Sequence, residues 1–411
     1  MIQSTHDQET VMAVLRQMGG YIEDGSVGME QEWRYAWDAS NLQVVAGFDE
    51  LGSLTSLQLT GDTLIVPGEI NRLSQLKELQ VWGRESVSLP DDLGGLQQLE
   101  TLSLACAVAP VLPASLSQLS SLRTLALCGY SQWEQLPQEL WQLTQLEKLS
   151  LSQCPVARLS GQIGQLDQLR SLAINECGLT TLPAELGQLT ALEQIDLRQN
   201  QVSLLPAEIG DLSRLQRLLL ENNSLTTLPE ELGALSSLLE LNLNNNPLEQ
   251  LPASLGQLAH LQCLYLAACP LRSFPEQIGQ LAQLQTLIFS GLKIGGESWS
   301  QHPAWADAIG QLARLRYLSL ENCNISYLPG TVAQWHSIQE LDLRWNRLRS
   351  LPDEVAAWTQ LQVLALSYNP WRSYPPQSEN GGRSSACSFP VPDCNSFPDR
   401  RWLAAAARNP A

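Results

Sequence analysis

"LQRLLLENNSLTTLPEELGALSS", Leu215 to Ser237, is followed directly by "LLELNLNNNPLEQLPASLGQLAH", Leu238 to His260. The leucines, one asparagine (Asn223, then Asn246) and a Leu-Pro pair (Leu228-Pro229, then Leu251-Pro252) fall at the same places in both. A chain that repeats one 23-residue unit builds one long body, so length alone does not count its domains. Working outward, units of the form L-x-x-L-x-L-x-x-[N/C]-x-L begin at Leu54, Leu76, Leu99, Leu122, Leu146, Leu169, Leu192, Leu215, Leu238, Leu261, Leu284, Leu315, Ile338 and Leu361, fourteen in all.

The chemistry of one unit can be followed in "LEQIDLRQNQVSLLPAEIGDLSR", residues 192–214. Ile195 and Leu197 flank Asp196, the alternation of a strand with one buried face. Asn200 stands at the turn out of that strand, where a side-chain amide can satisfy bent backbone and the neighbouring unit together. Asn223, Asn246, Asn346 and Asn369 extend this ladder, with Cys154, Cys177, Cys269 and Cys323 at the equivalent place. Pro206 suits the first position of a short helix, where its missing N–H costs nothing. Ile209 and Leu212 then return to the core. One unit cannot bury its leucines alone; stacked units bury them mutually. Thirteen steps of ~4.8 Å give a parallel sheet about 60 Å long. The helical side is wider than the strand side, so the stack curves with its strands inside.

This pattern resembles the 23-residue class of leucine-rich repeats, LPxxLGxLxxLxxLxLxxNxL, found in Ras-binding scaffolds, plant Ras-group proteins and bacterial proteins including type III effectors. The resemblance implies an α/β leucine-rich repeat solenoid: a curved horseshoe with a parallel β-sheet on the concave face and short helices or 3-10 turns on the convex face. It covers residues 30–376 and speaks to fold far more than to function. Effector ligases of this group carry a catalytic domain after the repeats. About 35 residues follow here, too few for one.

The ends need covers. Val11, Val14, Leu15 and Met18 predict an amphipathic helix stopped at Gly19-Gly20, so residues 1–29 are expected to form a helical cap. Residues 30–53 are expected to be a degenerate first repeat, with Trp33 and Tyr35 taking the places of Leu57 and Leu59. The fourteen repeats occupy 54–376. Residues 377–411, opening on "QSENGGRSSACS", are expected to be a flexible tail, with either a short helix or no structure around "FPDRRWLAAAARNP".

The formal net charge of −18 excludes nucleic acid and anionic membrane surfaces as natural partners. No apolar run approaches the ~20 residues of a membrane span, and the first residues lack the basic and apolar regions of a Sec signal. Nine cysteines, four of them at one core position, suggest buried thiols and a reducing compartment. Cys387 and Cys394 either pair or stay free.

No catalytic or metal motif stands out. The four histidines, His6, His260, His302 and His336, form no HExxH pair, and there is no P-loop, GxGxxG or GxSxG. His260 and Cys263 are three apart, but the repeat puts the first on an outer turn and the second on the concave strand. No enzyme activity, cofactor or metal is expected.

What remains is surface. In the first seven repeats the concave positions are mostly small or polar: Ser56, Gln58, Thr101, Ser103, Thr124, Ala126, Ser150, Ser171 and Ala173, with Trp82 and Tyr130 as exceptions. The second half presents Arg198, Arg217, Leu219, Glu221, Glu240, Asn242, Tyr265, Ile288, Tyr317, Glu321, Glu340, Asp342, Arg344, Trp345 and Tyr368. Aromatic and aliphatic groups ringed by charge are the makings of a protein-binding face. The step from Leu284 to Leu315 is eight residues too long, an insertion near 291–307. Its Trp299, His302 and Trp305 either anchor a partner or, for the tryptophans, pack back onto the adjacent helix.

The expectation is a monomeric, non-catalytic module binding a protein partner with a basic patch on the concave face of the C-terminal repeats. It would act in the cytoplasm. The alternative is a bacterial effector, exported by a non-Sec route, that binds a host protein.

Overall fold

A computed structural model describes residues 32–36, 43–49, 53–108, 111–129, 135–272, 275–291 and 304–371. The expected N-terminal helix, the tail, Tyr130, Trp299 and His302 lie outside the described residues. The strands are β1 (Glu32–Ala36), β2 (Gln43–Phe48), β3 (Leu54–Ile65), β4 (Glu78–Ser88), β5 (Thr101–Ala105), β6 (Thr124–Cys128), β7 (Lys148–Ser152) and β8 (Ser171–Asn175). They continue as β9 (Gln194–Asp196), β10 (Arg217–Leu219), β11 (Glu240–Asn242), β12 (Cys263–Tyr265), β13 (Thr286–Ile288), β14 (Tyr317–Ser319), β15 (Glu340–Asp342) and β16 (Val363–Ala365). All sixteen form one sheet in sequence order.

From β3 onward every described pairing is parallel and keeps the repeat register. Leu57, Leu79, Leu102 and Leu125 pair in turn, and so do Leu218, Leu241, Leu264, Leu287, Leu318, Leu341 and Leu364. The inward leucines form one continuous core. Only at the C-terminal strand does one open to solvent, Leu364 at 36%.

Among the described residues the convex side is made chiefly of five-residue 3-10 turns, as at Ala207–Asp211 and Glu230–Ala234. Proline sits one residue earlier than expected. Pro206 and Pro229 are the extended caps, each accepting the first turn hydrogen bond at its carbonyl, from Ile209 N at 3.1 Å and Leu232 N at 3.2 Å. Successive turns pack closely: a Cβ on Gly233 would lie 2.5 Å from the Ser254 carbonyl.

The asparagine ladder forms as expected. Asn223 Nδ2 donates to the carbonyls of Leu197 (2.8 Å) and Leu220 (3.0 Å), while its Oδ1 accepts from Val202 N (3.0 Å). Asn246 makes the same set one repeat on, donating to Leu220 (2.9 Å) and Leu243 (2.9 Å) and accepting from Leu225 N (3.1 Å). Cysteine keeps one of these bonds: Cys269 Sγ donates to Leu243 O at 3.2 Å and Cys323 Sγ to Phe289 O at 2.8 Å.

Two expectations change. Residues 30–53 do not supply a further parallel repeat strand: β1 runs antiparallel to β2, and β2 antiparallel to β3. The residues beside Leu59 and Leu57 are Val44 and Ala46, both 1% exposed, rather than Tyr35 and Trp33. A side-chain period of two is common to parallel and antiparallel strands, so spacing alone cannot tell them apart. The insertion ends in a helix, α1 (Ala304–Gly310), which packs between the turns at Glu276–Gln280 and Gly330–Gln334. Trp305 on it is 2% exposed and meets Trp335 edge-on at 5.8 Å. Trp305 therefore belongs to the core and is not a partner anchor.

Candidate protein-binding face

Register fixes the concave face of β9–β16 as columns. One column reads Arg217, Glu240, Cys263, Thr286, Tyr317, Glu340 and Val363; the central one reads Leu219, Asn242, Tyr265, Ile288, Ser319, Asp342 and Ala365. Leu219, Tyr265 and Ile288 thus share one column, as the repeat requires. Arg198, Glu221, Glu321 and Arg344 stand one step past the inner leucines, and Trp345 and Tyr368 one step further.

From β6 onward, the chain turns through a left-handed residue past the end of each strand. Glycine stands there at Gly129 and Gly291, and Gln153, Glu176, Gln199, Asn222, Asn245, Ala268, Asn322, Trp345 and Tyr368 have φ between 55° and 60°. Glycine and asparagine tolerate this conformation best. A Trp (φ 56°) and a Tyr (φ 60°) there are strained choices. Both side chains are exposed, at 52% and 67%, and they stack with ring centroids 3.9 Å apart. They make a flat aromatic plate at the rim of the face, next to a shallow depression lined by Ala267, Ser290, Gly291, Glu321 and Asn322.

The polar residues are tied to one another. Arg344 bridges Asp342 (Nη2 to Oδ2, 2.6 Å) and Glu321 (3.3 Å), and the bond to Asp342 holds its guanidinium protonated beyond the ordinary range. Burial pushes the Glu321 carboxyl up, against the pull of Arg344. Arg198 pairs with Asp196 at 2.7 Å and Arg217 with Glu240 at 3.1 Å. Asn242 Nδ2 donates to Glu221 at 3.3 Å. Such pairs hold side chains in place more than they stabilise the fold.

Of the fifteen concave positions singled out from sequence in the second half, Arg198, Arg217, Leu219, Glu221, Glu240, Asn242, Ile288, Glu321, Glu340 and Arg344 are half-buried, and Trp345 and Tyr368 are exposed. Tyr265 (7%), Tyr317 (7%) and Asp342 (2%) are buried and are not presented to solvent. Burial first, and then the charges of Asp342 and Glu340, push the Tyr317 phenol up to about 12. Asn244 was not singled out, yet its Oδ1 accepts from Ala267 N at 2.7 Å and ties two repeats together along this rim. Its type and its place before the ladder were the available signal.

His260 sits on the outer turn, with Nδ1 2.8 Å from the Ser236 carbonyl, away from Cys263. Cys154, Cys177, Cys269 and Cys323 are all buried, as their shared position in the repeat implied. Among the described residues no cluster of His, Cys, Asp and Glu is placed to hold a metal ion, and no helix is long and apolar enough to cross a membrane.

Comparison with known proteins agrees with this architecture. The family described as Leucine-rich repeat region matches residues 54–175 and 156–245, and the Leucine Rich Repeat family matches 237–258. No curated protein matches the chain. Among solved structures, a leucine-rich repeat protein of Leptospira interrogans is similar at 31% identity and TM-score 0.63, over 75% of this chain and 85% of that one. An internalin of Listeria monocytogenes shares the fold at 20% identity and TM-score 0.60, over 78% of this chain and 89% of that one. The repeat ectodomain of an Arabidopsis thaliana membrane receptor kinase, solved in complex with Casparian strip integrity factor 2, is similar at 27% identity and TM-score 0.60, over 79% of this chain and 40% of that one. Register, ladder and relatives agree: the chain belongs to the leucine-rich repeat proteins.

Proposed function

We propose that this chain is a non-catalytic binding module that holds a protein partner on the concave face of β9–β16. The observation that carries the reading is the exposed Trp345–Tyr368 stack, in which two large aromatics occupy left-handed backbone positions that smaller or polar residues fill elsewhere. Exposed aromatic surface bordered by charge is the composition of an interface centre. Fold supports interaction in general, and the similar receptor ectodomain was solved in complex with Casparian strip integrity factor 2. Carboxylates at Glu221, Glu240, Glu321 and Glu340 favour a partner with a basic patch.

The test begins with capture of partners by the wild-type chain from lysate of the source organism and from lysate of a eukaryotic host. Each captured protein is then purified and titrated calorimetrically against wild type and against Trp345→Ala combined with Tyr368→Ala. Loss of about 30-fold or more in affinity is expected for two interface anchors. Unchanged affinity would reject the concave site. The lysate that supplies the partner separates a resident scaffold from an exported effector.

A further inference from the structure

The residue just after the first leucine or isoleucine of each repeat stands at the entry to a strand, and backbone bonds join successive copies. Glu100 N donates to Lys77 O, Glu147 N to Arg123 O and Glu193 N to Arg170 O, each at 2.8 Å. The side chains of these neighbours pair as well: Lys77 with Glu100 at 3.7 Å, Arg123 with Glu147 at 3.6 Å and Arg170 with Glu193 at 2.8 Å. Each cation of this column in the N-terminal repeats thus has a carboxylate one repeat on.

The C-terminal repeats break that rule. From Gln216 to Gln285 the same column holds no charge, and Arg316 follows with Gln285 before it and Gln339 after it. The backbone spacing is kept: Arg316 N donates to Gln285 O and Gln339 N to Arg316 O, both at 2.9 Å. What changes is the carboxylate, which an amide replaces on both sides. Arg314 is exposed, as Arg316 is. Among the described residues neither arginine forms an ion pair. Glu340, next along the chain from Gln339, belongs to the concave column beside Tyr317 and pairs with neither.

The two arginines border a cleft of about 420 Å³, lined chiefly by Gln285, Arg314, Arg316, His336, Gln339 and Gln360, with no carboxylate in its wall. Two guanidiniums and an imidazole are a local reversal of sign in a chain of net charge −18. Each guanidinium is a planar fork that can grip two oxygens at once, and the glutamine amides add neutral donors. A single carboxylate has one charge and two oxygens to share between two such forks. A phosphate monoester brings a charge of about −1.5 to −2 and three acceptor oxygens. A cleft of this size also takes more than a bare ion.

We propose that this cleft binds an organic phosphate monoester, gripped by Arg314 and Arg316 with His336 beside them. The ester is carried on a protein side chain or on a free small molecule. The site is separate from the aromatic plate, because Arg316 and Gln339 precede their strands whereas Trp345 and Tyr368 stand past the strand ends. The inference goes beyond the partner reading and does not rest on it.

Binding is measured calorimetrically at fixed ionic strength, since screening weakens such contacts. The probes are inorganic phosphate, glycerol phosphate, and a short phosphoserine peptide alongside its unphosphorylated form. At least one ester is expected to bind saturably and more tightly than inorganic phosphate, and the tighter ester identifies the source. Arg314→Gln and Arg316→Gln should each weaken it about tenfold or more, the loss of one charge-assisted contact. Arg170→Gln, at a paired site of the same column, should leave it unchanged. Gln285→Glu with Gln339→Glu restores the carboxylates of the N-terminal repeats and should abolish binding with both arginines present. All these side chains lie at the surface, so thermal unfolding midpoints should match wild type. No saturable binding of either ester, an unphosphorylated peptide that binds as tightly as the phosphorylated one, or an affinity unmoved by the arginine or glutamate variants overturns the site. Inorganic phosphate that binds as tightly as both esters overturns the assignment to an ester. None of these results involves Trp345 or Tyr368, so failure here leaves the partner assay standing, and the reverse holds as well.

Discussion

Tyr317 shows how a single residue can be placed by sequence and yet misjudged. Its spacing puts it on the concave column of β14, and there it lies. Its exposure was not legible, because a repeat pattern reports which way a side chain points and not what lies over it. The consequence is a proton held more tightly in the folded chain, up to about 12, than in the unfolded chain, where a tyrosine titrates near 10. A group with a raised folded pKa contributes stability that is complete below the unfolded value and is lost as pH rises through the folded one. Urea denaturation at pH 9 and at pH 11 should therefore show wild type losing stability relative to Tyr317→Phe at the higher pH. Lysines, arginines and thiols titrate in both proteins and cancel. A difference that does not change with pH would mean that Tyr317 is open to water. Trp345 and Tyr368 were easier to read: they stand one residue before a ladder position, where the chain turns left-handed and the side chain points outward.

At the scale of elements, the strands and the asparagine positions were legible almost to the residue, because each is repeated many times and a chance match cannot survive fourteen copies. The departures occur where the repetition stops. The insertion's extra length was plain, but a single unrepeated stretch carries no internal check. Its tryptophan could equally have faced solvent. In the structure Trp305 on α1 meets Trp335 edge-on, and Trp335 stacks on Trp358 at 5.8 Å with an interplanar angle of 6°. Trp335 Nε1 donates to Ala306 O on α1 at 3.0 Å, and Trp358 Nε1 to Val332 O at 2.8 Å. Three consecutive convex elements are thus joined by indoles, with Trp335 and Trp358 at the place that Leu258 and Leu281 fill in earlier repeats. Trp305→Ala should cost about 3–5 kcal/mol, the range for emptying a buried tryptophan site. Equilibrium unfolding checks it, and a loss below ~1 kcal/mol would place Trp305 outside the core after all. The antiparallel start at β1–β2 is the same lesson: aromatic spacing matched a repeat, but no second copy was there to decide strand direction.

At the scale of the molecule, a solenoid is a chain of neighbours. Each unit touches the one before and the one after, so stability sums over units and adjacent interfaces. The asparagine ladder makes that statement testable. Asn223 and Asn246 donate to the same carbonyl, Leu220 O, at 3.0 and 2.9 Å. Removing either amide leaves that oxygen one partner, and removing both strands it in the core, where a lost bond costs about 1–3 kcal/mol. Asn346 bonds Leu320 and Leu343, five repeats from Asn223 and roughly 24 Å along the sheet at ~4.8 Å per strand. A double-mutant cycle of Asn223→Ala with Asn246→Ala should therefore show coupling above about 0.5 kcal/mol, with the double variant worse than the sum. The cycle of Asn223→Ala with Asn346→Ala should add to within that margin. Urea midpoints with matched slopes supply all four corners of each cycle. Strong coupling across the five-repeat distance would mean that the sheet responds as one rigid plate. The nearest-neighbour account of how this repeat builds a long surface would then be wrong.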